Sequence, residues 1–286
     1  MPHKKTMSMN YRKTVLSIAL WCAALTAGAQ EKAPAVSLFL NEEVTTFVIA
    51  QEDVTMVDIS VPDSVVVANQ ATDNIIRMKA MKPMEENAKI GVATIVGERN
   101  VVQYNLYYTG DKSRATTEYR VMQWETGGYL NPAVDMDRRT MYSYAWKVWD
   151  SSRRYYDVSN RGNRLRIRLN NLYSVGGYFF FDISIENRSN IRFDIEDVII
   201  RLCDKRQVKS TNYQEMDIQP ELVLQDVSSF KKTYRNVFVL KKLTFPDEKV
   251  LTFTFSEDPI SGRMITLSVD YSDVLAADSF KEGMIR

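Results

Sequence analysis

Carboxylates are the only side chains in this sequence placed to do acid–base chemistry. Asp194, Glu196 and Asp197 lie close together, and Glu257 stands beside Asp258. Two carboxyl groups that flank a bond can serve as acid and base or nucleophile, as in glycoside hydrolysis. They must converge in a pocket to do so, and the surrounding patterns place these on strand exteriors and turn tips. The one histidine is His3 and the two cysteines are Cys22 and Cys203. His3 and Cys22 fall in an N-terminal stretch with the layout of a secretory signal, so the mature chain is expected to keep no histidine and a single cysteine. That excludes a Ser-His-Asp triad, a Cys-His pair, a His-containing zinc site and an intramolecular disulfide. Loops of the Asp-x-Asp-x-Asp-Gly type for calcium and Gly-rich phosphate loops are missing as well. The expectation is a non-enzymatic protein with no metal and no cofactor.

The signal reading rests on three parts. Lys4, Lys5, Arg12 and Lys13 form a basic region, residues 15–25 an apolar run, and Ala27-Gly28-Ala29 a small-x-small cleavage site ahead of Gln30. As a helix that run rises only ~16 Å, well short of a hydrocarbon core of roughly 30 Å. Residues 1–29 are therefore expected to be a cleaved signal peptide. The mature chain should be exported and carry no transmembrane helix. The formal charge of +1 comes from 37 basic and 36 acidic residues. Without the four basic residues of the signal, 33 remain against 36, a net of −3. No global field then draws the mature protein to nucleic acid or anionic lipid.

The elements that position these residues are mostly short strands. Leu165-Arg166-Ile167-Arg168-Leu169 alternates apolar and basic, the pattern of a strand with one wet face. A turn is expected over residues 170–177, ending in Gly176-Gly177. In the next run Phe179, Phe181, Ile183 and Ile185 point one way and Phe180, Asp182, Ser184 and Glu186 the other. Ile191, Phe193 and Ile195 share a face in a third run, and Val198, Ile200 and Leu202 in a fourth. Seven or eight more such runs fill residues 36–108, with a hairpin turn at residues 97–100. The fold class expected is all-β: a sandwich at 36–110, a linker at 111–162, and a second sandwich at 163–280.

The linker holds Trp124, Trp146 and Trp149. Asn131-Pro132 has the form of a helix start, with Asn as N-cap and Pro in the first helical position, so an amphipathic helix is expected over about 132–150. Val134, Met141, Ala145 and Val148 form its stripe, with Tyr142, Trp146 and Trp149 alongside. The basic run at residues 161–168 is read as a solvated face. For contact with a partner, the candidates are Tyr173, Tyr178 and Phe180, which fall off the main apolar face, and Trp146 and Trp149. A second reading is a secreted carbohydrate-binding module, with Trp124, Trp146 and Trp149 as stacking platforms.

The second domain carries an ordered set of short motifs. Leu172-Tyr173 is followed by Glu186-Asn187-Arg188-Ser189, Phe193-Asp194-Ile195, Asp204-Lys205-Arg206 with Lys209, and Gln214-Glu215 with Pro220. Phe245-Pro246 with Lys249, Gly262-Arg263 and residues 270–274 complete it, and Ile95 to Tyr104 in the first domain fits alongside. In this order the chain resembles the conjugative transposon protein TraN family of Bacteroidetes mobile elements. The tryptophan-bearing linker is the stretch that departs most from that family. The family is similar in role and layout to the two-sandwich core component of VirB-type type IV secretion. The resemblance implies a multimeric structural subunit of a DNA-transfer apparatus in the periplasm, peripherally associated with the outer membrane. It implies as partners an outer-membrane lipoprotein and an inner-membrane-anchored channel protein. It carries over no catalytic residues and no strong direct contact with nucleic acid.

Overall fold

The computed structural model describes residues 36–128, 130–205, 215–258 and 262–280. The segment expected to be a signal peptide, with Ala27, Ala29 and Gln30, lies outside them, as do Arg206, Lys209 and Gln214. The described chain is all-β, two sandwiches with two helices.

The first sandwich has eight strands: β1 (Val36–Leu40), β2 (Thr46–Ile49), β3 (Val54–Ile59), β4 (Val66–Thr72), β5 (Ile75–Ala80), β6 (Lys89–Gly97), β7 (Val101–Tyr108) and β8 (Glu118–Arg120). One sheet runs β1-β7-β6-β3 and the other β4-β5-β2-β8. Alternation turns Leu38, Val48, Ile76, Met78, Ile95, Tyr104 and Leu106 into a shared core. Two pairings are parallel and long in range. β1 lies beside β7, Val36 opposite Tyr104, and β8 lies beside β2, Phe47 opposite Glu118. The expected linker therefore begins later than residue 111, because residues 118–120 complete a sheet of this domain.

Helix α1 (Arg138–Asp150) follows, shorter than expected. The Asn131 side chain accepts from the Ala133 amide at 3.0 Å, a local turn that uses up the supposed cap. Asp137 is the N-cap instead, accepting from the Thr140 amide at 2.9 Å. Met141, Tyr144, Ala145 and Val148 are buried, a stripe at i, i+3, i+4 and i+7.

The second sandwich comprises β9 (Ser159–Gly162), β10 (Leu165–Val175), β11 (Tyr178–Asn187), β12 (Phe193–Asp194), β13 (Asp197–Asp204), β14 (Glu215–Asp217), β15 (Leu222–Val223), β16 (Ser229–Phe230), β17 (Thr233–Lys241), β18 (Lys249–Ser256) and β19 (Met264–Asp270). Helix α2 (Tyr271–Leu275) closes it. A five-stranded sheet, β15-β17-β11-β10-β9, faces a four-stranded one, β14-β13-β18-β19, and β12 pairs with β16. Phe181, Ile183, Phe238, Phe253, Phe255 and Leu267 fill the space between. Of the third expected run, Phe193 is fully buried but Ile191 is exposed, since pairing there lasts only two residues.

No turn interrupts residues 170–175. A β-bulge between Leu169 and Asn171 lets β10 run on, so Leu172 returns to the inner face and Tyr173 takes the outer one. That outer face is then divided along the strands. Towards the β10–β11 turn, Tyr173, Tyr178, Phe180, Val237 and Val239 lie under α1. Beyond the bulge the face carries Arg166, Arg168, Ser184 and Glu186. Helix α1 is thus a layer of the second domain and not a free linker.

Candidate functional site

The bulge that redirects β10 also places a polar seam between the two halves of the outer face. Asp182, fully buried, is its centre. Its oxygens accept from Asn170 Nδ2 at 3.0 Å, Asn171 Nδ2 at 3.1 Å, Arg235 Nε at 2.9 Å and Arg235 Nη2 at 2.7 Å. Four donors meet the roughly four lone-pair sites of a carboxylate. Arg235 Nη2 also donates to the Trp149 carbonyl at 2.7 Å, and its guanidinium stacks 4.6 Å from the Trp149 ring centroid. The cation therefore neutralises Asp182 and completes the negative end of α1 at once. The Asp182 carboxylate holds Arg235 above the ordinary arginine value. Asn171 Oδ1 accepts from the Arg154 amide at 3.1 Å, tying the chain after the helix into the same network.

Next to this seam a cleft of about 410 Å³ opens over the sheet, lined among others by Trp149, Arg168, Ser184, Gln225, Thr233 and Arg235. Strand register builds its floor. Arg168, Ser184 and Arg235 are successive cross-strand neighbours, and Arg161, Arg166, Glu186 and Thr233 form the adjoining row. Glu186 is held by Arg188 through bonds of 3.0 and 3.2 Å, which lowers its pKa. Arg168 Nη2 approaches Glu186 only to 3.9 Å. The Nε atoms of Arg166 and Arg168 are buried and have no hydrogen-bond partner among the described residues. Arg166 lies below the ordinary arginine value, first through desolvation and then through repulsion by Arg161, Arg168 and Arg188.

At the other end of α1 a second polar cluster joins the two domains. Glu52 accepts from the backbone amides of Arg99 at 3.0 Å and Asn100 at 2.7 Å, fixing the β6–β7 hairpin. Burial raises the Glu52 pKa, opposed by those amides. From the hairpin, Glu98 Oε2 accepts from the Arg138 amide at 2.6 Å, and Asp53 Oδ1 accepts from Arg139 Nε at 2.7 Å. Two first-domain carboxylates thus meet the positive end of the second domain's helix.

The predicted contact residues divide sharply. Tyr173, Tyr178 and Phe180 are buried beneath α1, Phe180 completely, which corrects their assignment as docking groups. Their displacement from the inner face marks a second core. Trp146 is 46% exposed, whereas Trp149 is half-buried under Arg235. The two indoles meet edge to face, at 66° and 6.0 Å between centroids, so they do not form a flat stacking surface together. Trp124 is exposed on a 3-10 turn, Gln123–Gly128, where the neighbouring Glu125 accepts from the Tyr104 and Tyr119 hydroxyls. Asp194 and Glu196 are exposed, and Glu257 is engaged by Arg263. The Asp194 amide donates to Glu257 Oε1 at 3.1 Å. Among the described residues no group of three or more His, Cys, Asp or Glu could hold a metal. Cys203 is buried, its Sγ 3.8 Å from Thr252 Oγ1. The arginine cleft escaped sequence reading, because Arg235 stands 53 residues from Asp182.

Fold and site define a two-domain β-sandwich protein with polar strand faces, and among the described residues no helix is long and apolar enough to cross a membrane. Residues 138–279 match a family model described as a domain of unknown function, DUF4138. The match starts on the first residue of α1, so it takes in the helix together with the sandwich it covers. No curated protein matches the chain.

Proposed function

We propose that this protein is a structural, protein-binding subunit of a conjugative DNA-transfer apparatus of the type IV secretion kind. It acts in the periplasm, peripherally at the outer membrane. The single observation that carries the reading is how the buried carboxylates are used. Glu52, Asp182 and Glu257 are the buried acids among the described residues, and each is taken up by donors of this chain. They brace the domain joint, the helix and a loop, which suits a scaffold better than a catalyst. The signal-like N-terminus supports the periplasmic compartment, and the TraN-like order of motifs supports the apparatus. Ring assembly through head-to-tail contacts fits a subunit of this layout.

The test is affinity recovery of the tagged protein from cross-linked, detergent-solubilised envelopes, with partners identified by mass spectrometry. Co-recovery of an outer-membrane lipoprotein and a single-span inner-membrane protein from the same mobile element is the expected result. A free monomer without envelope partners would refute the reading.

A further inference from the structure

The outer face of the five-stranded sheet has two halves with different fates. One is covered by α1, and the other presents four arginines, Arg161, Arg166, Arg168 and Arg188, around the single carboxylate of Glu186. Glu186 is already held by Arg188, and Arg235 by Asp182. Arg168 approaches Glu186 only to 3.9 Å, and among the described residues the Nε–H groups of Arg166 and Arg168 have no acceptor. Four guanidinium groups around one carboxylate leave this half of the face with an excess of positive charge, which an acidic partner would neutralise.

We propose that this cleft and the arginine row beside it bind an extended acidic segment of a partner protein, with side-chain carboxylates received by Arg168 in the cleft and Arg166 on the adjoining row. The spacing sets the shape of the ligand. Arg166 and Arg168 are two residues apart on β10, ~6.8 Å along the strand. Alternate side chains of an extended peptide repeat at the same distance, so a Glu-x-Glu pattern places one carboxylate over each guanidinium. The planar guanidinium takes a carboxylate through two parallel N–H bonds. Bound carboxylates would also offset the repulsion of Arg166 by Arg161, Arg168 and Arg188. A phosphodiester backbone fits less well, because Glu186 stands in the middle of the arginines and would face a chain whose every unit is charged. The proposal rests on the protein-binding reading above, and its test is separate.

The full chain is titrated by calorimetry with a ten-residue peptide of alternating glutamate and serine. Parallel titrations use the glutamine counterpart, inorganic phosphate and a ten-residue oligothymidylate. The glutamate peptide should bind, the glutamine peptide should not, and R166Q/R168Q should weaken binding by about tenfold or more, equivalent to ~1.4 kcal/mol. Equal binding of the two peptides, an unchanged affinity in the double variant, or tighter binding of the oligonucleotide or of phosphate alone would overturn the proposal. Should the double variant not fold, Ser184→Glu sets a carboxylate on the same row and must also weaken the glutamate peptide. Peptide binding without envelope partners would leave the cleft and remove the apparatus reading. Envelope partners without peptide binding would do the reverse.

Discussion

Removing Arg235 isolates what the polar seam contributes. Arg235→Ala deletes both bonds to Asp182, the bond to the Trp149 carbonyl and the stacking on the Trp149 ring. Asp182 stays fully buried, with only the two asparagine amides as donors. Breaking a buried ion pair by deleting one partner costs about 3–5 kcal/mol. Arg235 is itself one-third exposed, so solvent screening argues for the lower end, about 3 kcal/mol. The Trp149 contacts add about 1 kcal/mol, and the two contributions are coupled through one side chain. The expected loss is therefore about 3–4 kcal/mol, read by urea unfolding of the full chain followed by Trp fluorescence. Arg188→Ala, which breaks an exposed pair with Glu186, should cost no more than about 1 kcal/mol in the same assay. If both variants unfold at the same urea concentration, the seam does not anchor the helix and the reasoning fails. A double-mutant cycle with Asp182→Asn should return a coupling energy of about 1.5 kcal/mol or more.

Other consequences can be measured alongside. Phe180→Ala should cost about 3–5 kcal/mol, because the ring is fully buried against Tyr144, whereas the exposed Trp146→Ala should change stability by less than about 1 kcal/mol; equal effects in thermal melts would contradict the two assignments. A Cβ on Gly97 would overlap the Glu52 carboxylate, so Gly97→Ala should destabilise the first domain by about 1–3 kcal/mol. Hydrogen exchange at the Arg99 and Asn100 amides should quicken in that variant, and unchanged protection would tell against the clasp. Glu52 holds its proton more tightly in the folded protein than the ordinary value of 4.5 allows. Its contribution is therefore fully present below that value and is lost as pH rises through the folded pKa. Stability measured across that window should fall less steeply in Glu52→Gln, and an unaltered slope would refute the linkage.

Strand alternation was readable wherever a strand kept its phase. Leu165, Ile167 and Leu169, and Phe179 to Ile185 by twos, all reach the core as the spacing predicts. Phase was lost at Asn170, where one extra residue flips Tyr173 outward, and no local residue type announces a bulge. The apolar outer face at Phe180 then looked like an exposed docking surface, although a helix some 35 residues earlier covers it. Asn131-Pro132 carries a sound cap signature, yet its side chain closed a turn and Asp137 took the cap. The parallel pairs β1–β7 and β2–β8, and the Asp182–Arg235 contact, join residues 53 to 71 positions apart, beyond any local pattern. Arg166 and Arg168 were visible as part of a basic run, but neither their unmet donors nor the approach of Arg235 to that face was.

The parallel placement of β1 beside β7 gives the first sandwich a particular response to force. The chain enters at Val36, and β7 ends at Tyr108, opposite Leu40 at the far end of β1. Tension applied through these two ends pulls β1 and β7 along their lengths in opposite directions. The inter-strand bonds between five residue pairs are then loaded together, in shear, where an antiparallel hairpin pulled from its ends would open one rung at a time. The second parallel pair, β2 with β8, puts a similar lock just before the chain leaves the domain. A sandwich pulled from both ends in this way is expected to yield later under load than an antiparallel hairpin pulled from its ends.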